Sequence, residues 1–150
     1  ASNPQHSITP FQMAVAGECG SISMEYNAAD AFSTTASIHA DNHDQNHDHI
    51  KVECLDLPAA CHKAGVEKID FLKMDCEGAE HDILRSCPRG LLQSIQYIAM
   101  EIHPDPDNCS NSEGVCVQLR ELGFTVSMAT CTDKDALEGR DHPFVWASRV

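Results

Sequence analysis

The sequence predicts an α/β fold, a sheet joined by helical crossovers, and three observations predict it. Short apolar runs of strand length alternate with amphipathic stretches of helix length. Hydrophobic residues make up 42% of the chain and aromatics only 5%, which suits an aliphatic core of Val, Ile, Leu, Met and Ala. The 150 residues fit one domain of ordinary size, and no internal repeat divides them.

Phe11 to Ala16 reads as a strand closed by Gly17. Ser21 to Tyr26 alternates Ile22, Met24 and Tyr26 with polar residues, so a second strand follows a tight turn around Glu18 to Gly20. Residues 27–49 are polar and rich in Asp, Asn and His, the composition of a long surface loop. Ile50 to Cys54 is the next strand. Asp56 can then cap a short helix, with Pro58 in its first turn and Gly65 just past its end. Phe71 to Asp75 is a strand ending in an acid, and after Gly78 a helix runs over Ala79 to Ser86, stopped before Pro88. Tyr97 to His103 is a strand ended by Pro104. Ser110 and Glu113 form a capping-box pattern. The helix they open carries Val115, Leu119 and Leu122 on one face and terminates at Gly123. Thr125 to Ala129 and Phe144 to Ser148 are the last two strands.

The formal net charge of −13 argues against a nucleic-acid backbone and an anionic membrane surface as partners, because both require a positive face. No apolar run approaches the roughly 18–20 residues of a spanning helix. Ala1 to Pro10 has neither the basic start nor the apolar centre of a signal peptide. The eight cysteines, at 19, 54, 61, 76, 87, 109, 116 and 131, form no C-x-x-C pair. Several fall within strand and helix patterns, so they are expected to be reduced thiols packed as small hydrophobes in a cytoplasmic protein, with some disulfides as the alternative.

The chemistry concentrates between Ile69 and Arg85 (IDFLKMDCEGAEHDILR). Ligands of open α/β sheets bind beyond the carboxyl ends of the strands, which puts Asp75 and Glu77 at the mouth of a cleft. Glu101 and His103, two residues apart on the next strand, project to one face. Adjacent strands would bring Asp75, Glu77, Glu101 and His103 together. A histidine beside carboxylates is a natural proton acceptor near neutral pH, or part of a hard-metal site. Against this, acids at strand ends often serve only the next helix, and Glu77 and Glu80 suit a helix N-terminus through its dipole. Lys73 either pairs with one of these acids or packs its stem and solvates its head. Met74 and Met100 belong to the core. His43, His47 and His49, among three aspartates in residues 41–49, are candidate transition-metal ligands in what otherwise reads as a solvated loop.

The string K-M-D-C-E-G-A-E-x-x-I-L-R at Lys73 to Arg85 resembles the K-[IM]-D-x-E-G-x-E-x-x-[VI]-L signature of the FkbM methyltransferase family. Glu101 to His103 (EIH) is similar to the family's following E-x-H strand. Val52 to Ala64 resembles its strand and Leu-Asp pair before a short helix, Ala14 to Gly17 its A-V-G segment, and Gly123-Phe124 its late helix-to-strand step. The resemblance covers almost the whole chain. It implies a Rossmann-like class I methyltransferase sheet with helices on both faces, S-adenosylmethionine as methyl donor, and a small-molecule or sugar-type hydroxyl as acceptor. It also implies His103 or Asp75 as base, and Glu77 and Glu101 orienting the acceptor or a divalent metal. Ala16, Asp75 and Cys76 become the cofactor-binding candidates. The chain departs from such folds in having no G-x-G cofactor loop, so the N-terminal strands are expected to be missing. That loss would expose a sheet edge open to pairing with a second copy. The rival expectation is a non-catalytic remnant that keeps the sheet as a binding or assembly module.

Overall fold

The computed structural model describes residues 8–26, 48–76, 78–103, 111–130 and 143–149. Their architecture is mixed α/β, with four helices and two sheets. The elements are β1 (Ala14–Val15), β2 (Gly20–Tyr26), β3 (Asp48–Leu55), α1 (Leu57–Ala64), β4 (Phe71–Met74), α2 (Glu80–Ser86), α3 (Arg89–Ser94), β5 (Tyr97–Glu101), α4 (Ser112–Glu121), β6 (Thr125–Thr130) and β7 (Pro143–Ser148).

The first sheet has the order β1-β3-β2. The hairpin expected between β1 and β2 is not formed. β3 inserts between them, parallel to β1 and antiparallel to β2, with Ala14 opposite Cys54 and Gly20 also opposite Cys54. The turn at Glu18 to Gly20 therefore carries the chain across β3. The polar stretch also ends earlier than expected, since Asp48 and His49 already belong to β3.

The second sheet has the order β4-β5-β7-β6, parallel between β4 and β5 and antiparallel thereafter. Because residues alternate across a strand, its register sorts them into two rows. Met74, Met100, Val145 and Met128 line up on one face, and Lys73, Ala99, Trp146 and Ser127 on the other. The first face meets Ile83 and Leu84 of α2, Leu92 of α3, and Val115, Cys116, Leu119 and Leu122 of α4 in one continuous core. On the second face Phe71 is 53%, Tyr97 46% and Trp146 52% exposed. Among the described residues, the helices thus cover one face of this sheet, where both were expected to be covered.

Local signals account for most boundaries. Asp56 accepts a hydrogen bond from the Ala59 N–H at 2.8 Å, Pro58 sits in the first turn, and Gly65 closes α1 in the left-handed region. Gly123, at φ 91°, follows α4, and a Cβ there would meet the Arg149 guanidinium at 3.3 Å. That guanidinium donates to the Leu122 carbonyl and lies 4.7 Å over the Phe124 ring, tying the end of β7 to the end of α4. The cap of α4 differs from the expected one. Asn111 accepts from the Gly114 N–H at 2.8 Å, and Ser110 lies outside the described residues. α3, whose N-cap is Pro88, was not expected.

Candidate active site

The site is built where β4 and β5 end and α2 begins. Met74 pairs with Met100, so Asp75, one step past β4, and Glu101, the last residue of β5, lie at the ends of adjacent parallel strands. Lys73 donates to Asp75 Oδ2 at 2.7 Å, with both side chains substantially exposed. The Asp75 hydrogen bond is the main reason the Lys73 ammonium is held above its usual range, and burial opposes it. Asp75 and Glu101 add charge attraction in the same direction. Lys73, Asp75 and Glu101 therefore share one solvent-facing neighbourhood. An exposed pair of this kind contributes at most about 1 kcal/mol to stability.

His103 is held elsewhere. β5 stops at Glu101, and the Ile102 N–H donates to the Pro143 carbonyl at 2.9 Å. His103 then turns inward, only 8% exposed, onto the first turn of α2. Its Nδ1 lies 3.1 Å from Glu80 Oε1. Glu80 is fully buried, and its other partners are the Cys76 N–H at 2.6 Å on Oε1 and the Gly78 N–H at 3.1 Å on Oε2. A carboxylate can only accept, so Nδ1 carries the ring proton. Burial raises the Glu80 carboxyl pKa. The His103 hydrogen bond, the backbone N–H groups and the His103 charge together outweigh it and hold the carboxyl below the usual range.

The next residue grips the same histidine by its backbone. His81, 2% exposed, donates from Nε2 to the His103 carbonyl at 2.8 Å. Its Nδ1 is buried with no hydrogen-bond partner among the described residues. Such a group costs about 1–3 kcal/mol.

The four expected acidic and basic groups thus divide. Asp75 and Glu101 sit with Lys73, while His103 is bonded to Glu80, a residue read from sequence only as a helix-dipole acid. Glu77 lies outside the described residues. A signal for Glu80 was present in its spacing. Ile83 and Leu84 stand at i+3 and i+4, which puts Glu80 on the buried face of α2.

A cleft of about 500 Å³, within the roughly 300–1,000 Å³ typical of small-molecule sites, opens on another flank of α2. Ala16, Gly17, Glu18, Ile22, Cys54, Asp82, Arg85 and Ser86 line it, and Arg85 pairs with Asp82. Ala16 is therefore separated from the other two cofactor-binding candidates, Asp75 and Cys76, neither of which lines this cleft. Gly17 packs closely here: a Cβ on it would stand 3.0 Å from Asp82 Cβ and 3.3 Å from the Asp82 carbonyl oxygen. Gly17→Val is expected to cost about 1–3 kcal/mol by overpacking, read as a lower urea midpoint, whereas an unchanged midpoint would mean that the loop yields freely.

The six described cysteines, at 19, 54, 61, 76, 87 and 116, are free thiols. Burial pushes the thiols of Cys54, Cys61, Cys76 and Cys116 up, and that of Cys87 to about 11. These five pack as small hydrophobes, whereas Cys19 is exposed. No group of three or more His, Cys, Asp or Glu residues among those described is placed to hold a metal ion. His43 and His47 lie outside the described residues, and of His49 only the backbone, in β3, is described. No described helix is long and apolar enough to cross a membrane.

The model of the methyltransferase FkbM domain matches residues 3–126. The chain belongs to the FkbM methyltransferase family. Within this FkbM domain, the match takes in β1 to β5, α4 and the start of β6. The FkbM chain is also 34% identical over 88 residues to the AMB antimetabolite synthetase AmbE of Pseudomonas aeruginosa. That match takes in 57% of this chain and 4% of the relative's length. No solved structure matches it significantly.

S-adenosylmethionine is the cofactor that the family implies. The cleft beside Ala16 has the volume for a nucleoside-sized group, and the close Gly17–Asp82 contact leaves no space there for a larger residue. A group of that size in the cleft would border Ala16, Gly17 and Arg85.

Proposed function

We propose that this domain takes part in S-adenosylmethionine-dependent O-methylation, with a small-molecule or sugar-type hydroxyl as acceptor. The observation that carries the reading is the placement of Asp75 and Glu101 at the ends of two adjacent parallel strands, with His103 bonded to Glu80 at the start of α2, in an FkbM domain. When bound, the cofactor supplies an electrophilic methyl group. His103 takes the acceptor's hydroxyl proton, and Asp75 and Glu101 orient the acceptor through its other polar groups. Asp75 is the alternative base, and Glu77 is the remaining candidate for the acceptor side.

The test is calorimetric titration of the chain with S-adenosylhomocysteine, followed by incubation with methyl-¹³C S-adenosylmethionine and a panel of alcohols, sugars and phenols. Micromolar binding and a ¹³C-methyl ether are expected. No binding up to millimolar ligand, or label only on nitrogen or carbon, would overturn the proposal.

One observation favours a second reading, a sheet kept for assembly. Among the described residues β4 pairs on one side only, with β5, and Phe71, Tyr97 and Trp146 lie exposed on one face of that sheet. Strand pairing with a second copy would cover the other side of β4. Sedimentation should then show a dimer that Phe71→Lys weakens, and a monomer at every concentration removes this reading.

A further inference from the structure

We infer that Glu80 is the positioning residue of His103, the group that selects which ring nitrogen is basic and where it points. The inference rests on His103 being the base. Glu80 does not reach solvent, and both its oxygens are already committed, Oε1 to the Cys76 N–H and His103 Nδ1, Oε2 to the Gly78 N–H. A carboxylate fixed by two backbone donors cannot swing away from the histidine. It accepts from Nδ1–H and leaves the lone pair on Nε2, so the opposite tautomer would set lone pair against carboxylate. The adjacent His81 holds the His103 carbonyl at 2.8 Å, so two consecutive residues of α2 fix the histidine by ring and by backbone.

This arrangement answers a question that the sequence leaves open. Glu80 touches no acceptor and gives up no proton in the step. Its work is to keep the ring in one orientation and to stabilise the imidazolium that forms when Nε2 takes the hydroxyl proton, the O–H bond breaking as the N–H bond forms. A buried carboxylate beside a histidine gains strength for this from the low local dielectric.

The test is long-range ¹H–¹⁵N correlation spectroscopy of His103 at neutral pH, in the unaltered chain and in Glu80→Gln and Glu80→Asp. The unaltered chain should show Nδ1 protonated and Nε2 carrying the lone pair. Glu80→Gln should populate the other tautomer, and Glu80→Asp should restore the original in part. Nε2 protonated in the unaltered chain overturns the inference without any variant, so a variant that fails to fold does not shield it. An unchanged His103 spectrum in folded Glu80→Gln also overturns it. In the methyl-transfer assay, Glu80→Gln should lower kcat roughly 10²-fold with KM unchanged, and a change confined to KM would contradict positioning. Failure of the unaltered chain to methylate any acceptor would sink the proposed reaction, while the tautomer measurement would still decide the role of Glu80.

Discussion

Glu80→Ala is expected to destabilise the domain by about 3–5 kcal/mol, since each buried donor left unpaired costs about 1–3 kcal/mol. The truncation strands three donors at once: the Cys76 N–H, the Gly78 N–H and His103 Nδ1. Domain stabilities are of order 5–15 kcal/mol, so the variant should lie near the edge of folding, and its urea midpoint measures the loss. The same contacts predict acid sensitivity. A carboxyl whose folded pKa is depressed contributes stability that is fully present above its unfolded value, about 4.3, and lost as pH falls through the lower folded value. The urea midpoint should therefore drop in acid below that window, and the Glu80 part of the drop should be absent from Glu80→Ala. Equal stability of the two proteins at neutral pH would mean that the three donors find water instead.

Glu80 also marks where sequence reasoning stops. Features set by neighbours in the chain were legible: Asp56, Pro58 and Gly65 around α1, Gly123 after α4, and the apolar face of Val115, Leu119 and Leu122. Each follows from the conformational limits of a residue or from helical spacing. The strands β4 and β5 were legible as short apolar runs, although β5 stops at Glu101, short of the expected His103.

What failed depended on contacts distant in sequence. The hairpin of β1 and β2 was a reasonable local inference, but β3, some thirty residues away, supplies better pairing to both. A sequence does not say which strands compete for an edge. The four polar groups were expected to converge because residues i and i+2 share a face of a strand. β5 ends before that rule reaches His103, and the chain turns the ring under α2. The dipole argument for Glu80 correctly placed it at a helix start, yet was silent on burial, which decides its partner. The uncovered face of the second sheet could not be read either, since Lys73 and Trp146 are each compatible with a packed or a solvated position.

His103→Asn carries the largest expected effect on activity, and it separates chemistry from structure. The asparagine amide nitrogen can occupy nearly the position of Nδ1, so it can still donate to Glu80 Oε1, and the backbone carbonyl remains available to His81. Stability should fall by only about 1 kcal/mol, the scale of one hydrogen bond weakened in a site otherwise retained. An amide cannot accept a proton near neutral pH, so methyl transfer should drop about 10²–10⁴-fold, the range of a lost general base. The two variants therefore differ in balance: Glu80→Ala lowers stability as well as rate, whereas His103→Asn lowers chiefly the rate. If His103→Asn folds and keeps its rate, the proton must leave by another group. Asp75 then becomes the base, because it stands at the end of the neighbouring strand with Lys73 at 2.7 Å to steady its charge. In that case Asp75→Asn should show the loss instead, and the buried histidine would act only as a clamp between β5 and α2.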